Sequence, residues 1–201
     1  MKALSILSLS LLLGALWQFG NATYIHAKAI TAQLLLESAW QKTLNGETQS
    51  KPWPWADTWA IAKLTIPKLH KSYVVLAGAS GRNLAFAPSH LSASVKPGMQ
   101  GTAIIAGHRD THFSFLNNLS IGEILELQSP LSEKITYEVT QTEIINTDRE
   151  HLYIDPDTNQ LLLVTCYPFD EIETGGPLRY VITLKPTLNH TNTYISANYK
   201  F

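Results

Sequence analysis

The sequence predicts an all-β domain, sandwich or barrel, over most of its length. Between residues 59 and 184, short apolar or alternating segments recur at 59–66, 72–77, 102–107, 124–128, 135–144, 161–166 and 179–184. Turn residues separate them: Pro67, Gly78, Pro97-Gly98, Gly122, Pro130, Asp155-Pro156 and Gly175-Gly176-Pro177. Many short strands with Gly/Pro punctuation are the signature of that class. Only 82–90 and 113–119 depart from the pattern, each with room for a short helical turn. A chain of 201 residues holds one such domain with a sizeable core, plus an appendage.

The appendage is N-terminal. After Lys2, residues 3–20 carry no charge, which is about the length that crosses a bilayer. Residues 1–22 therefore read as a membrane anchor, with Lys2 held on the cytoplasmic side. A cleaved signal peptide is the alternative, with Ala27-Lys28-Ala29 as its A-x-A site. Both readings put the remainder outside the cytoplasm. Residues 23–50 form a juxtamembrane helix and linker. Ile30, Leu34, Trp40 and Leu44 recur at helical spacing, and Asn45-Gly46 stops them. Lys51-Pro52-Trp53-Pro54-Trp55 follows an extended path, and its tryptophans are expected to pack on the domain as a strap. The domain itself spans 51–187, and 188–201 is a polar and aromatic tail.

Composition narrows the chemistry. A net charge of -1 offers no large basic patch, so nucleic acid is excluded as a partner. The one cysteine, Cys166, cannot form an internal disulfide. A leftover thiol in an exported chain points to reactivity or to an intermolecular bridge. Cys166 ends the apolar run Leu161-Leu162-Leu163-Val164-Thr165 and precedes Tyr167-Pro168. His108 ends another such run and Arg179 opens a third. Acyl transfer from an amide needs a nucleophile, a proton carrier and positive charge over the oxyanion, and these three side chains supply that set. His108 and His112 flank Asp110 as a metal pair would, but no third ligand is evident, so no metal is expected.

These residues also carry a resemblance. The run 162–166 followed by Arg179, with Gly107-His108-Arg109-Asp110 upstream, resembles the sortases, membrane-anchored cysteine transpeptidases. Leu162 stands where that family's strand motif starts with threonine. Pro52-Trp53-Pro54-Trp55-Ala56-Asp57, residues 107–113 and Thr165-Cys166-Tyr167-Pro168-Phe169 with Gly176-Pro177-Leu178-Arg179 resemble the Gram-negative, proteobacterial group.

The resemblance implies a closed barrel of about eight strands. It implies that Cys166 cleaves an LPxTG-like C-terminal sorting signal through a thioester and passes the acyl group to an amine acceptor. His108 would move the proton, and Arg179 would hold the peptide and the oxyanion. Thr165, Tyr153 and Ile154 would contact substrate, with Arg109 and Asp110 supporting the His108 loop. No cofactor is called for. The expected location is the bacterial inner membrane, single-pass, with the catalytic domain on the periplasmic side. An L,D-transpeptidase is the competing enzyme, but its Ser-x-Gly-Cys-type run is not matched here. An anchored β-barrel binding module with a silent cysteine is the competing class.

Overall fold

The structure, a computed structural model, describes residues 2–130, 132–150, 152, 154–155, 157–171 and 175–187. Tyr153 and the tail 188–201 therefore lie outside the described residues.

Eight strands close into a barrel: β1 (Ala60–Ile66), β2 (Lys71–Ala77), β3 (Ser89–His90), β4 (Thr102–Ala106), β5 (Ile124–Ser129), β6 (Ser132–Asn146), β7 (Gln160–Cys166) and β8 (Leu178–Pro186). Their order around the barrel is β1-β2-β3-β4-β7-β8-β6-β5. Every segment expected from the alternation is a strand, although boundaries shift by a residue or more. The two-residue β3 falls inside 82–90, where only a helical turn was expected. The turn is there too, as α2 (Gly81–Leu84), whose start is capped by Ser80 accepting from the Asn83 N–H. The second expected turn is the 3-10 helix Ser114–Asn118.

Period two sorts the side chains. Leu161, Leu163, Ile182, Leu184, Ala103 and Ile105 fill the barrel with Leu64, Ile66, Leu127 and Val139. Leu162, Ile104 and Val181 pack outside with Ile145, and Leu152, Ile154 and Val164 lie against them. Both faces of the β4–β7–β8 wall are thus apolar, and its strands read as continuous hydrophobic runs.

The anchor and the juxtamembrane helix are one element, α1 (Lys2–Leu44), with no break near residue 22. Gly20 is the weakest helix former there, and one interior glycine costs only about 1 kcal/mol. The helix ends where expected, with Gly46 at φ 91°. Ser5–Leu44 is long and apolar enough to cross a membrane by length and composition. Its C-terminal turns belong to the barrel instead: Leu36, Ala39 and Trp40 are buried against Ala60, Val74 and Leu76. Lys63 Nζ donates to Glu37 Oε1 at 2.8 Å across the same seam.

The strap is only half as expected. Trp53 packs edge-on to Phe86, with centroids 4.8 Å apart. Trp55 is 82% exposed, so it does not pack on the domain. The turn at 53–56, closed by the Ala56 N–H to the Trp53 carbonyl, carries its ring outward.

Because Trp40 is 1% exposed and Leu34 is 67% exposed, their truncations should differ sharply. Trp40→Ala is expected to cost about 3–5 kcal/mol in detergent-solubilised chain. Leu34→Ala should stay within about 0.5 kcal/mol. Denaturant midpoints followed by near-UV circular dichroism measure both.

Candidate active site

The candidate site lies at one end of the β4–β7–β8 wall. Cys166 and Arg179 are paired directly across the antiparallel β7–β8 ladder. Residues so opposed share a face, with Cβ atoms about 4.5–5.5 Å apart. That face is the outer one, since Val164 and Val181, the preceding pair on the same side, belong to the outer cluster. Cys166 is half-buried there.

His108 arrives from the other side of β7. The parallel β4–β7 ladder pairs Ala106 with Val164, and the Gly107 N–H donates to the Val164 carbonyl at 3.1 Å. His108 follows two residues beyond Ala106 and is exposed. The barrel thus pairs Cys166 with Arg179 directly, and His108 follows the end of the strand that adjoins β7 on its other side.

Thr165, expected to contact substrate, makes a structural contact. Being odd-numbered on β7, its side chain turns inward and is 2% exposed. Its Oγ1 donates to the Gly107 carbonyl at 2.7 Å, which holds the His108-bearing chain against the cysteine strand. Ile154 is half-buried against the outer apolar cluster, on the side of the wall that carries Cys166.

The chain around His108 is held at three further points. The Phe113 N–H donates to the His108 carbonyl at 2.9 Å, closing a tight turn. The Phe113 ring lies so close under Gly107 that a Cβ there would meet it at 2.7 Å. Arg109, with a side chain 10% exposed, donates to the Pro168 carbonyl at 2.7 Å and to the Glu171 carbonyl at 2.5 Å. Its guanidinium ties the histidine turn to the loop that leaves Cys166, and Glu171 Oε2 lies 3.6 Å away as a partial counter-charge. Under that loop, Tyr167, Phe169 and Tyr180 form an aromatic floor with centroids 5.3–6.3 Å apart. Asp110 is exposed.

Arg179 is oriented by its own loop. Nη1 donates to the Gly176 carbonyl at 2.6 Å and to the Leu178 carbonyl at 2.8 Å. A guanidinium carries five N–H groups in a planar fork, so anchoring one nitrogen sets the direction of the rest.

His112 does not join the rim. It packs edge-on to Tyr73, with centroids 5.9 Å apart. Burial pushes it below its ordinary value, and the nearby His108 acts the same way. A hydrogen bond to the Phe86 backbone and the Asp110 charge oppose this. Nothing in the sequence distinguished the two histidines by environment, because Tyr73 and Phe86 are distant in the chain.

A family model for the sortase domain matches residues 64–187. The chain belongs to the sortase family. Sortase D of Bacillus subtilis is 32% identical to it over 120 residues, covering 59% of this chain and 60% of that protein. This sortase therefore aligns with less than two thirds of that relative's length. Among solved structures, Sortase A from Corynebacterium diphtheriae superposes with a TM-score of 0.58 at 20% identity, covering 80% of this chain and 86% of that one. A Sortase D5 transpeptidase of Clostridium perfringens gives 0.56 at 23% identity, covering 75% and 88%. These likenesses are of fold, and they agree with the closed eight-strand barrel seen here.

Two outcomes follow from this geometry. Gly107→Ala must displace a fully buried Phe113 ring, and should cost about 1–3 kcal/mol in denaturant unfolding. The second concerns pH. His112 and His90 are both held below their ordinary 6.5, each chiefly by burial, so the unfolded chain binds more protons below that pH. The melting temperature should therefore fall as pH drops from 6.5 toward 5. Removing one titrating group with His112→Gln should flatten that fall. An unchanged slope would contradict the placement of His112.

Proposed function

We propose that this sortase is a membrane-anchored cysteine transpeptidase acting on an LPxTG-like C-terminal sorting signal. The observation that carries the reading is the direct pairing of Cys166 with Arg179 on one sheet face, with His108 at the end of the adjoining strand. Sulfur attacks the scissile backbone carbonyl and forms a C–S bond, moving the carbonyl electrons onto oxygen. Arg179 donates to that oxyanion, where a fixed donor does most for the rate. As the oxyanion collapses, the C–N bond breaks and His108 gives a proton to the leaving amine. A thioester remains. An acceptor amine, or water, is then deprotonated by His108 and takes the acyl group, returning the thiolate.

The supporting residues take graded roles. Arg109 and Thr165 fix the histidine turn relative to Cys166, and Asp110 sits within that turn. Ile154 and Tyr153 belong to the β6–β7 connection, which we assign to the groove wall. We further assign the sortase to the Gram-negative, proteobacterial group. This rests on the motifs around the strap, the histidine and the cysteine. In such a cell α1 would cross the inner membrane once, with the barrel on the periplasmic side.

A single-turnover acylation assay, run beside alkylation by a small thiol reagent, tests the assignment. Cys166→Ala should form no acyl-enzyme. His108→Ala should lose about 10²–10⁴-fold in turnover. Arg179→Lys keeps the charge but not the planar fork, and should lose about 10²–10³-fold in acylation. Its Cys166 should still alkylate at nearly the wild-type rate, because that reaction forms no oxyanion. Acylation of Arg179→Lys at the wild-type rate would reduce Arg179 to a structural charge. Acylation of Cys166→Ala would refute the whole reading.

A further inference from the structure

We propose that the barrel rests on the surface of the bilayer that α1 crosses, with Trp55 seated in the lipid headgroup layer; this depends on α1 being a membrane span.

A length argument along α1 comes first. The uncharged stretch runs from Ala3 to Ala27 between Lys2 and Lys28. A hydrocarbon core of about 30 Å takes about 20 helical residues, at about 1.5 Å each. Counted from Lys2, it ends near Ala22. Tyr24 and Lys28 then lie about 3 Å and about 9 Å beyond the edge, where the headgroup layer sits.

The barrel comes up beside this part of α1. Tyr24, Ala27 and Lys28 share an apolar cleft of about 750 Å³ with Trp53, Trp55 and Phe86. Trp55 is 82% exposed and Tyr24 67% exposed, although both are large aromatics. A second apolar groove, of about 650 Å³, flanks the other side of α1 between Ile25, Ala29 and the Ala85–Phe86 corner. Exposed aromatics and a lysine at one level of a span are what an interface holds, since ring and ammonium each keep one polar end wet. Continuity with the helix selects lipid as the occupant: both clefts open beside α1 from residues 24 and 25 onward, directly after the stretch that the span places in hydrocarbon. The aromatic strap is thereby a spacer that sets the height of the rim holding Cys166 above the membrane.

Spin labelling of the full chain in phosphatidylcholine–phosphatidylglycerol liposomes tests this. With Cys166→Ser removing the only native thiol, single cysteines are introduced by Trp55→Cys, Leu12→Cys and Ile121→Cys and labelled with a nitroxide. All three positions are exposed, so none of the substitutions opens the core. Collision with oxygen and with an aqueous nickel chelate reports depth. The expected result is a hydrocarbon signature at 12, an aqueous one at 121 and an intermediate one at 55, with lower nickel access than at 121. A hydrocarbon signature at 12 with an aqueous one at 55 overturns the docking while leaving the span intact. An aqueous signature at 12 removes the span, and the docking with it. Spin–spin broadening at 55 without raised oxygen access would show a second copy in the cleft, and also overturns the proposal.

Discussion

The candidate site depends on the pairing of one strand, β7, with two different neighbours. On one side β4 runs parallel to it, and on the other β8 runs antiparallel. Side chains alternate along β7, so Leu161, Leu163 and Thr165 face the barrel while Leu162, Val164 and Cys166 face out. The antiparallel register then puts Arg179 on the outer face beside the thiol, and the parallel register brings the end of β4, two residues before His108, alongside Val164. A slip of one residue would turn Arg179 into the barrel and Tyr180 out. Ile182 and Leu184, fully buried two and four residues after Tyr180, resist such a slip.

Polar contacts lock the loops that the strands deliver. Thr165 reaches the Gly107 carbonyl from inside the barrel, and Arg109 reaches the Pro168 and Glu171 carbonyls of the loop after β7. The turn bearing His108 and the loop leaving Cys166 are therefore stitched together. Gly107 permits this because its missing Cβ leaves room for Phe113. On the far side of the barrel, Leu36 and Trp40 make the end of α1 part of the packed structure. Helix α1 and the candidate rim consequently belong to one connected body.

Much of this was legible in the chain. Alternation and Gly/Pro turns marked all the longer strands, and the solitary Cys166 with His108 and Arg179 at strand ends marked the rim. The two-residue β3 was not legible, because so short a segment has no period. Both halves of α1 were legible as helix, and they run on as one because a helix persists through Gly20 when nothing adjacent terminates it. Trp55 was misjudged since the strap's composition does not say which ring faces the domain. The inward turn of the Thr165 side chain was not legible, because orientation depends on register. The contact of Tyr73 with His112 joins residues from different segments, so no local signal announces it.

The central claim is that Cys166 and residue 179 stand directly opposite each other on one face. Cross-strand disulfide formation tests it most directly, because a disulfide needs Cα atoms about 4.4–6.8 Å apart and converging Cβ vectors. Arg179→Cys, mildly oxidised at low protein concentration, should close an intramolecular bond with Cys166, detected as loss of both free thiols without dimer. Tyr180→Cys, one residue along and on the inner face, should leave both thiols free. The reverse pattern, with position 180 cross-linking and position 179 not, would contradict the register on which the whole site rests.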